Sequence, residues 1–319
     1  MKQVCINSQM NNFVTISDKD YVLKAITLYE SLKSTQVQEF TLYLVCLDDE
    51  TYTMANNISE KSLVPIPVSE IEEDNFEIRA IRHAPPSPEA ISNGAARDRD
   101  PKYIQFCWAL ASYSCWYLLH RKKLEHVFYL DSDLYFYKDI QGIWDEIGSS
   151  SVGIVRHRID YLPTSGEYNV GLVFFRNDYI GKRCCDWWKR MLLNPNNQYY
   201  AGYGQCGDQK YLELFVPIFG DDVCIIDDNV GHLAPWSATF HEYKDNKIIW
   251  ENKEQELYFF HFAHFVPNVS ERTYKTSYND EWIWGPPEKA NSKVGDLYDE
   301  YFSRTLSTLE KYEGLGLVS

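Results

Sequence analysis

Two carboxylates two residues apart, Asp131 and Asp133, interrupt an otherwise apolar and aromatic run from His126 to Tyr137. The run has strand length and composition, so the acids fall where a buried strand leaves its sheet, the edge at which open α/β sheets take ligands. Side chains at i and i+2 of an extended chain point the same way, roughly 6 to 7 Å apart, so both carboxylates can address one hard cation. Two like charges that close require such a partner. The spacing alone is not specific, because Asp18-Lys19-Asp20 and Asp98-Arg99-Asp100 repeat it. The first of these stands at a helix start, where acids serve as caps, and the second in a Pro- and Arg-rich polar loop, where it reads as a solvated cluster. Only the third is embedded in core.

The elements needed to hold such a site are legible along the chain. Phe13–Ile16 reads as a first strand, with Ser17-Asp18-Lys19-Asp20 capping a helix that carries Tyr21, Ala25, Leu28, Tyr29 and Leu32 at helical spacing. Phe40–Leu47 is a second strand, a polar helix covers about 51–61, and Leu63–Val68, with its two prolines, is an edge strand. This βαβαβ opening predicts a parallel sheet. Residues 70–102 read as irregular, and Tyr103–Leu119 as a buried helix that delivers the chain to the central strand. Further strands are expected at 134–137, 151–155, 168–176, 224–227 and 257–262, with helices at 140–147 and 179–193. A Gly/Tyr loop covers 199–207, a helix runs from Asp208 through Phe215, a turn spans Gly231–Trp236, and a closing helix covers 297–309. Asn169 and Gly171, at the entry of one strand, read either as backbone geometry or as part of a site. Asp208 reads as a helix cap or a cavity acid, and His261 as a core histidine or a ligand.

Composition bounds the function. A length of 319 residues buries a sizeable core as one domain, with a helical tail from about 290. A net charge of -15 excludes nucleic acid or an anionic membrane as the main partner. The eight cysteines lack paired spacing and read as reduced thiols. A polar amino terminus and the lack of any long apolar run predict a cytoplasmic protein without a membrane span, touching a membrane only through its acceptor.

In order, the blocks Ser17-Asp18 to Tyr21, Tyr129-Leu130-Asp131-Ser132-Asp133, Tyr168-Asn169-Val170-Gly171, Gly207-Asp208-Gln209 and His261-Phe262 resemble metal-dependent glycosyltransferases of the GT-A fold, within them the retaining glycogenin and lipopolysaccharide-transferase group, family GT8. The resemblance spans most of residues 13–265. It implies an α/β, Rossmann-like, mostly parallel mixed sheet flanked by helices, with a C-terminal helical extension. By the same resemblance, Ser17, Asp18 and Tyr21 hold the uridine of a UDP-sugar, with Tyr21 stacked on the base. Asp131, Ser132 and Asp133 complete the nucleotide site, and Asp131, Asp133 and His261 bind Mn²⁺ or Mg²⁺. Asn169, Asp208 and Gln209 then line the donor sugar, and the acceptor is a saccharide or glycoconjugate, in surface polysaccharide or lipopolysaccharide synthesis. His264 stands where the related pattern has Gly, and a downstream Lys-Pro-Trp block is absent, which leaves Lys102, Arg97 or Arg99 for the diphosphate. A glycoside hydrolase would instead set its carboxylates roughly 5 to 9.5 Å apart across a sugar. A sugar nucleotidyltransferase would need a Gly-rich basic loop after the first strand, and a sugar-binding protein would need no cation site.

Overall fold

The computed structural model describes residues 10–86, 100–159, 166–193, 207–238, 241–276 and 292–315. The parallel opening is present: β1 (Asn11–Ser17), β2 (Phe40–Cys46) and β3 (Leu63–Pro67) lie side by side in parallel register. The proline-bearing β3 occupies the sheet edge, where a missing N–H costs no ladder bond. On the other flank of β1 runs β4 (His126–Leu130), also parallel and buried throughout.

Beyond β4 come β7 (Tyr168–Arg176), β6 (Val152–Arg156) and β8 (Val223–Ile225), giving a seven-stranded sheet of order β3-β2-β1-β4-β7-β6-β8. Only β7 runs against the rest, pairing antiparallel with both β4 and β6. Its entry therefore meets the exit of β4, Leu130 facing Leu172 and the Asp131 N–H bonding the Gly171 carbonyl at 3.0 Å. One sheet face packs on Pro101–His120 and Tyr179–Leu193, the other on Val22–Thr35, so apolar cores form on both sides of the sheet.

After Asp133 the chain leaves this sheet. The short β5 (Leu134–Phe136) joins a second sheet that holds β9 (Val230–Leu233), β10 (Glu242–Lys244), β11 (Lys247–Trp250) and β12 (Lys253–His261). β5 pairs antiparallel with the end of β12, placing His261 opposite Leu134. Behind it the C-terminal helix Ser292–Lys311 contributes Tyr298 and Tyr301 to an aromatic cluster, with Tyr301 stacked on Phe262 at 3.9 Å between ring centroids.

Several expectations are corrected. Residues 70–82, expected to be irregular, belong to the helices Val68–Asp74 and Phe76–Arg82, because Val68, Ile71 and Ile78 are buried and the Asn75 side chain caps the second. Asp100 is not solvated but buried, accepting the Lys102 N–H at 3.0 Å as the cap of the long helix. Asp18 orders the turn before the first helix, yet Tyr21 holds the cap position. The segment from Gly207 runs as three short helical pieces, Gly207–Lys210, Tyr211–Leu214 and Phe215–Phe219, rather than one helix. Gly231–Trp236, expected as a turn, divides between β9, held by its parallel pairing with β12, and the short helix Pro235–Ala238. The expected loop at 199–206 lies outside the described residues, as do Arg97 and Arg99.

Candidate active site

Asp131 and Asp133 bracket the point where the chain passes from one sheet to the other. The Leu134 N–H returns to the Asp131 carbonyl at 3.2 Å, and the Phe262 N–H bonds the Asp133 carbonyl at 2.8 Å, so the strand end and the end of β12 are stitched together. His261 Nε2 thereby lies 2.9 Å from Asp133 Oδ1 and 3.6 Å from Asp131 Oδ2. One ligand atom from each of the three lies within 4.8 Å of the others.

The other side of the imidazole fixes its protonation. Asn169 Oδ1 accepts the Gly171 N–H at 2.7 Å, which sets the amide's orientation, and the same oxygen faces His261 Nδ1 at 3.3 Å. A proton on Nδ1 satisfies that contact and leaves the Nε2 lone pair pointing at two carboxylates. Three donors then converge with nothing positive between them, an arrangement that suits a divalent cation bound by oxygen and imidazole. The titration behaviour agrees. Burial favours the neutral ring, yet Asp133 and then Asp131 raise the His261 pKa, so without a cation the imidazole itself is pressed to become one. Burial works against the charge on Asp133, but His261 and Lys24 outweigh it and hold the carboxyl down to about 2. Asp131 is raised, chiefly by burial, against the pull of His261. Its Oδ1 also accepts the Tyr129 hydroxyl at 3.0 Å.

These groups open into a cavity of about 460 Å³ at the carboxyl ends of β1 and β4. Ser17, Asp18 and Tyr21, then Asp131, Ser132 and Asp133, and finally Asn169, Asp208, Gln209 and His261 line it, so the residues expected to hold the nucleoside, the metal and the donor sugar face one space. Tyr103 from the long helix donates its hydroxyl to Asp18 Oδ2 at 2.7 Å, anchoring the carboxylate that also accepts the Asp20 and Tyr21 N–H groups. Asn169 Nδ2 donates to Gln209 Oε1 at 3.1 Å, linking β7 to the short helix Gly207–Lys210. Burial, then the charge of Asp131, raises the Asp208 carboxyl to about 7.

Sequence reasoning gave no site role to three of the lining residues. Trp108 was read as part of the buried long helix and Trp236 as the end of a turn, and His157 carried no motif. Trp236 sits edge-on to His261 and to His157, at centroid distances of 5.2 and 5.5 Å. His264, which also lines the cavity, adopts φ 61, in the left-handed region. That backbone accounts for glycine in the related pattern, and a side chain is carried here at a cost of roughly 1 to 2 kcal/mol. Lys102, offered for the diphosphate, instead donates Nζ to the Pro85 carbonyl at 2.6 Å.

No family model matches the chain. It is similar to two uncharacterised proteins of Bacillus subtilis (strain 168): YfnF, 27% identical over 266 residues, covering 79% of this chain and 80% of that one, and YfnD, 21% identical over 298 residues, covering 89% and 85%. Among solved structures it resembles mouse xyloside xylosyltransferase 1 in its apo form, with TM-score 0.51 and 15% identity, over 79% of this chain and 97% of that one. It also resembles the galactosyltransferase LgtC in complex with donor and acceptor sugar analogues, with TM-score 0.50 and 13% identity, over 92% and 95%. The mostly parallel mixed sheet flanked by helices, with a C-terminal helix, agrees with these structures, and the chain has the GT-A fold.

Proposed function

We propose that the chain is a metal-dependent glycosyltransferase that moves a hexose from a nucleotide sugar, a UDP-hexose first, to a saccharide or glycoconjugate acceptor, with retention of anomeric configuration. The observation that carries this reading is the Asp131, Asp133 and His261 cluster, set in one cavity between the Asp18–Tyr21 turn and the Asn169–Gln209 pair. Asp131, Asp133 and His261 would hold Mn²⁺ or Mg²⁺, which neutralises charge gathering on a departing nucleoside diphosphate.

The chain's own residues do the rest. Tyr21, 43% exposed and lining the cavity, offers its ring to a base, and Asp18, held by Tyr103, offers a carboxylate for ribose or base donors. Asn169 and Gln209, tied to each other, position the sugar, with Asp208 beside them; positioning of this kind contributes several kcal/mol without a covalent step. Trp236 and Trp108 supply flat apolar surface for the sugar rings. Assembly of surface polysaccharide or lipopolysaccharide is the setting this chemistry suits.

The test is a panel of UDP- and GDP-sugars with Mn²⁺, read as slow hydrolysis without acceptor. Asp133→Asn should keep the fold by circular dichroism and lose at least about a hundredfold in turnover. Full activity of that variant in EDTA would end the metal reading, and an inverted product by proton NMR coupling would end retention. Binding of sugars with no hydrolysis of any donor would favour a non-catalytic protein.

A further inference from the structure

The first helix carries a lysine where its neighbours are apolar. Val22 through Leu28 are all buried, and Lys24 is 5% exposed. A buried ammonium ordinarily has a carboxylate in contact, because desolvation of an unpaired charge is costly. Among the described residues, the close contact of Lys24 Nζ is the face of the Tyr21 ring, 4.1 Å from its centroid. Burial lowers the Lys24 pKa, while Asp133 first and Asp18 second draw it up. The ammonium thus lies against the Tyr21 ring, within the field of both the uridine-side turn and the carboxylate cluster.

The cavity in front of it is acidic. Asp18, Asp131, Asp133 and Asp208 face it, and among its described lining residues there is no Lys or Arg. A nucleoside diphosphate carries more negative charge than one divalent cation cancels, so such a ligand needs a further fixed cation nearby.

We infer that Lys24 supplies that charge: from its place against the Tyr21 ring, its field steadies the diphosphate of a nucleotide bound in the cavity. It is a positioning residue, acting by its charge across the cavity wall. The inference rests on the proposed reading of this cavity as a nucleotide-sugar site. A lysine at this depth would otherwise be a liability that methionine fills at equal volume.

The experiment measures binding of uridine, UDP and inorganic pyrophosphate, each with Mn²⁺, to the wild-type chain and to Lys24→Met by calorimetry. Lys24→Met should melt at or above the wild-type temperature, since a buried unpaired charge is removed. UDP should lose about tenfold or more in affinity while uridine changes less than about twofold. Equal losses for uridine and UDP would reduce Lys24 to a support for the Tyr21 ring and overturn the charge assignment, as would unchanged UDP affinity. Failure of the wild-type chain to bind UDP would sink the UDP-donor reading itself. Pyrophosphate then decides Lys24 separately: weaker binding by Lys24→Met supports the assignment, and equal binding refutes it.

Discussion

At position 171 a hydrogen in place of a methyl group decides whether the site can exist. A Cβ there would stand 2.6 Å from Asn169 Oδ1 and 2.8 Å from His261 Nδ1, nearer than carbon approaches either atom. Glycine is needed for close approach, because Asn169, the strand backbone and the imidazole meet at one point. Gly171→Ala should therefore displace the Asn169 amide or the His261 ring while the buried strand persists. Loss of an outer contact that orients a ligand typically costs 10- to 100-fold in metal affinity, on the order of what Mn²⁺ titration followed by electron paramagnetic resonance should show. Unaltered Mn²⁺ affinity with unaltered far-ultraviolet circular dichroism would mean that His261 does not need this contact. The sequence left Gly171 between backbone geometry and function. The clash depends on an atom 90 residues downstream, which no local pattern reports.

Among the elements, the junction of β1 and β4 buries a histidine that makes the fold sensitive to acid. His126, at the start of β4, is fully buried, accepts the Asn12 N–H on Nε2 at 3.2 Å, and meets Trp144 edge-on at 4.8 Å. Burial, helped by the charge of Arg176, lowers its pKa to about 4. The unfolded chain binds this proton near pH 6.5 and the folded chain near 4, so between those values the unfolded state holds more protons. Stability is therefore lost as pH falls through that window. Between pH 7 and pH 5 this one residue should remove about 2 kcal/mol. His126→Gln, which still offers an acceptor to Asn12, should lose correspondingly less stability than the parent over that interval, measured by urea unfolding at both values. An identical loss in parent and variant would place the acid sensitivity elsewhere, with His157, also lowered to about 4 by burial, the next group to vary.

In the whole molecule the cavity joins segments that lie far apart in the chain. The second sheet brings His261, the long helix brings Tyr103 and Trp108, and the C-terminal helix backs Phe262 with Tyr301 while tying Lys311 and Tyr312 to Glu30 of the first helix, each at 2.6 Å. A ligand in this cavity meets His261, Tyr103 and Trp108 together and so binds only the folded chain, stabilising the molecule by mass action. UDP with Mn²⁺ at a hundred times its dissociation constant should add about 2.7 kcal/mol, visible as a rise in melting temperature of a few degrees. Either component alone should give less, and EDTA should abolish the nucleotide's effect. A shift with UDP that survives EDTA would show that base and ribose carry the affinity without a cation.

The sequence by itself determined the central strand, its two emergent acids and the parallel opening, because apolar runs of strand length and helical periodicity are local properties of the chain. The bounds of β7 at Tyr168–Arg176 and of the helix Tyr179–Leu193 were readable for the same reason. It did not determine that β5 deserts the first sheet for the second, since three residues of strand look alike in either. Nor could it reveal the helices between 68 and 82, whose three buried apolar side chains sit in a polar stretch, or the buried Lys24, whose depth is set by what packs around Tyr21. Tertiary structure alone decided that a histidine 128 residues beyond Asp133 turns its Nε2 toward both carboxylates. That placement comes from the antiparallel pairing of β5 with β12, a contact between segments whose sequences carry no record of their distance in space.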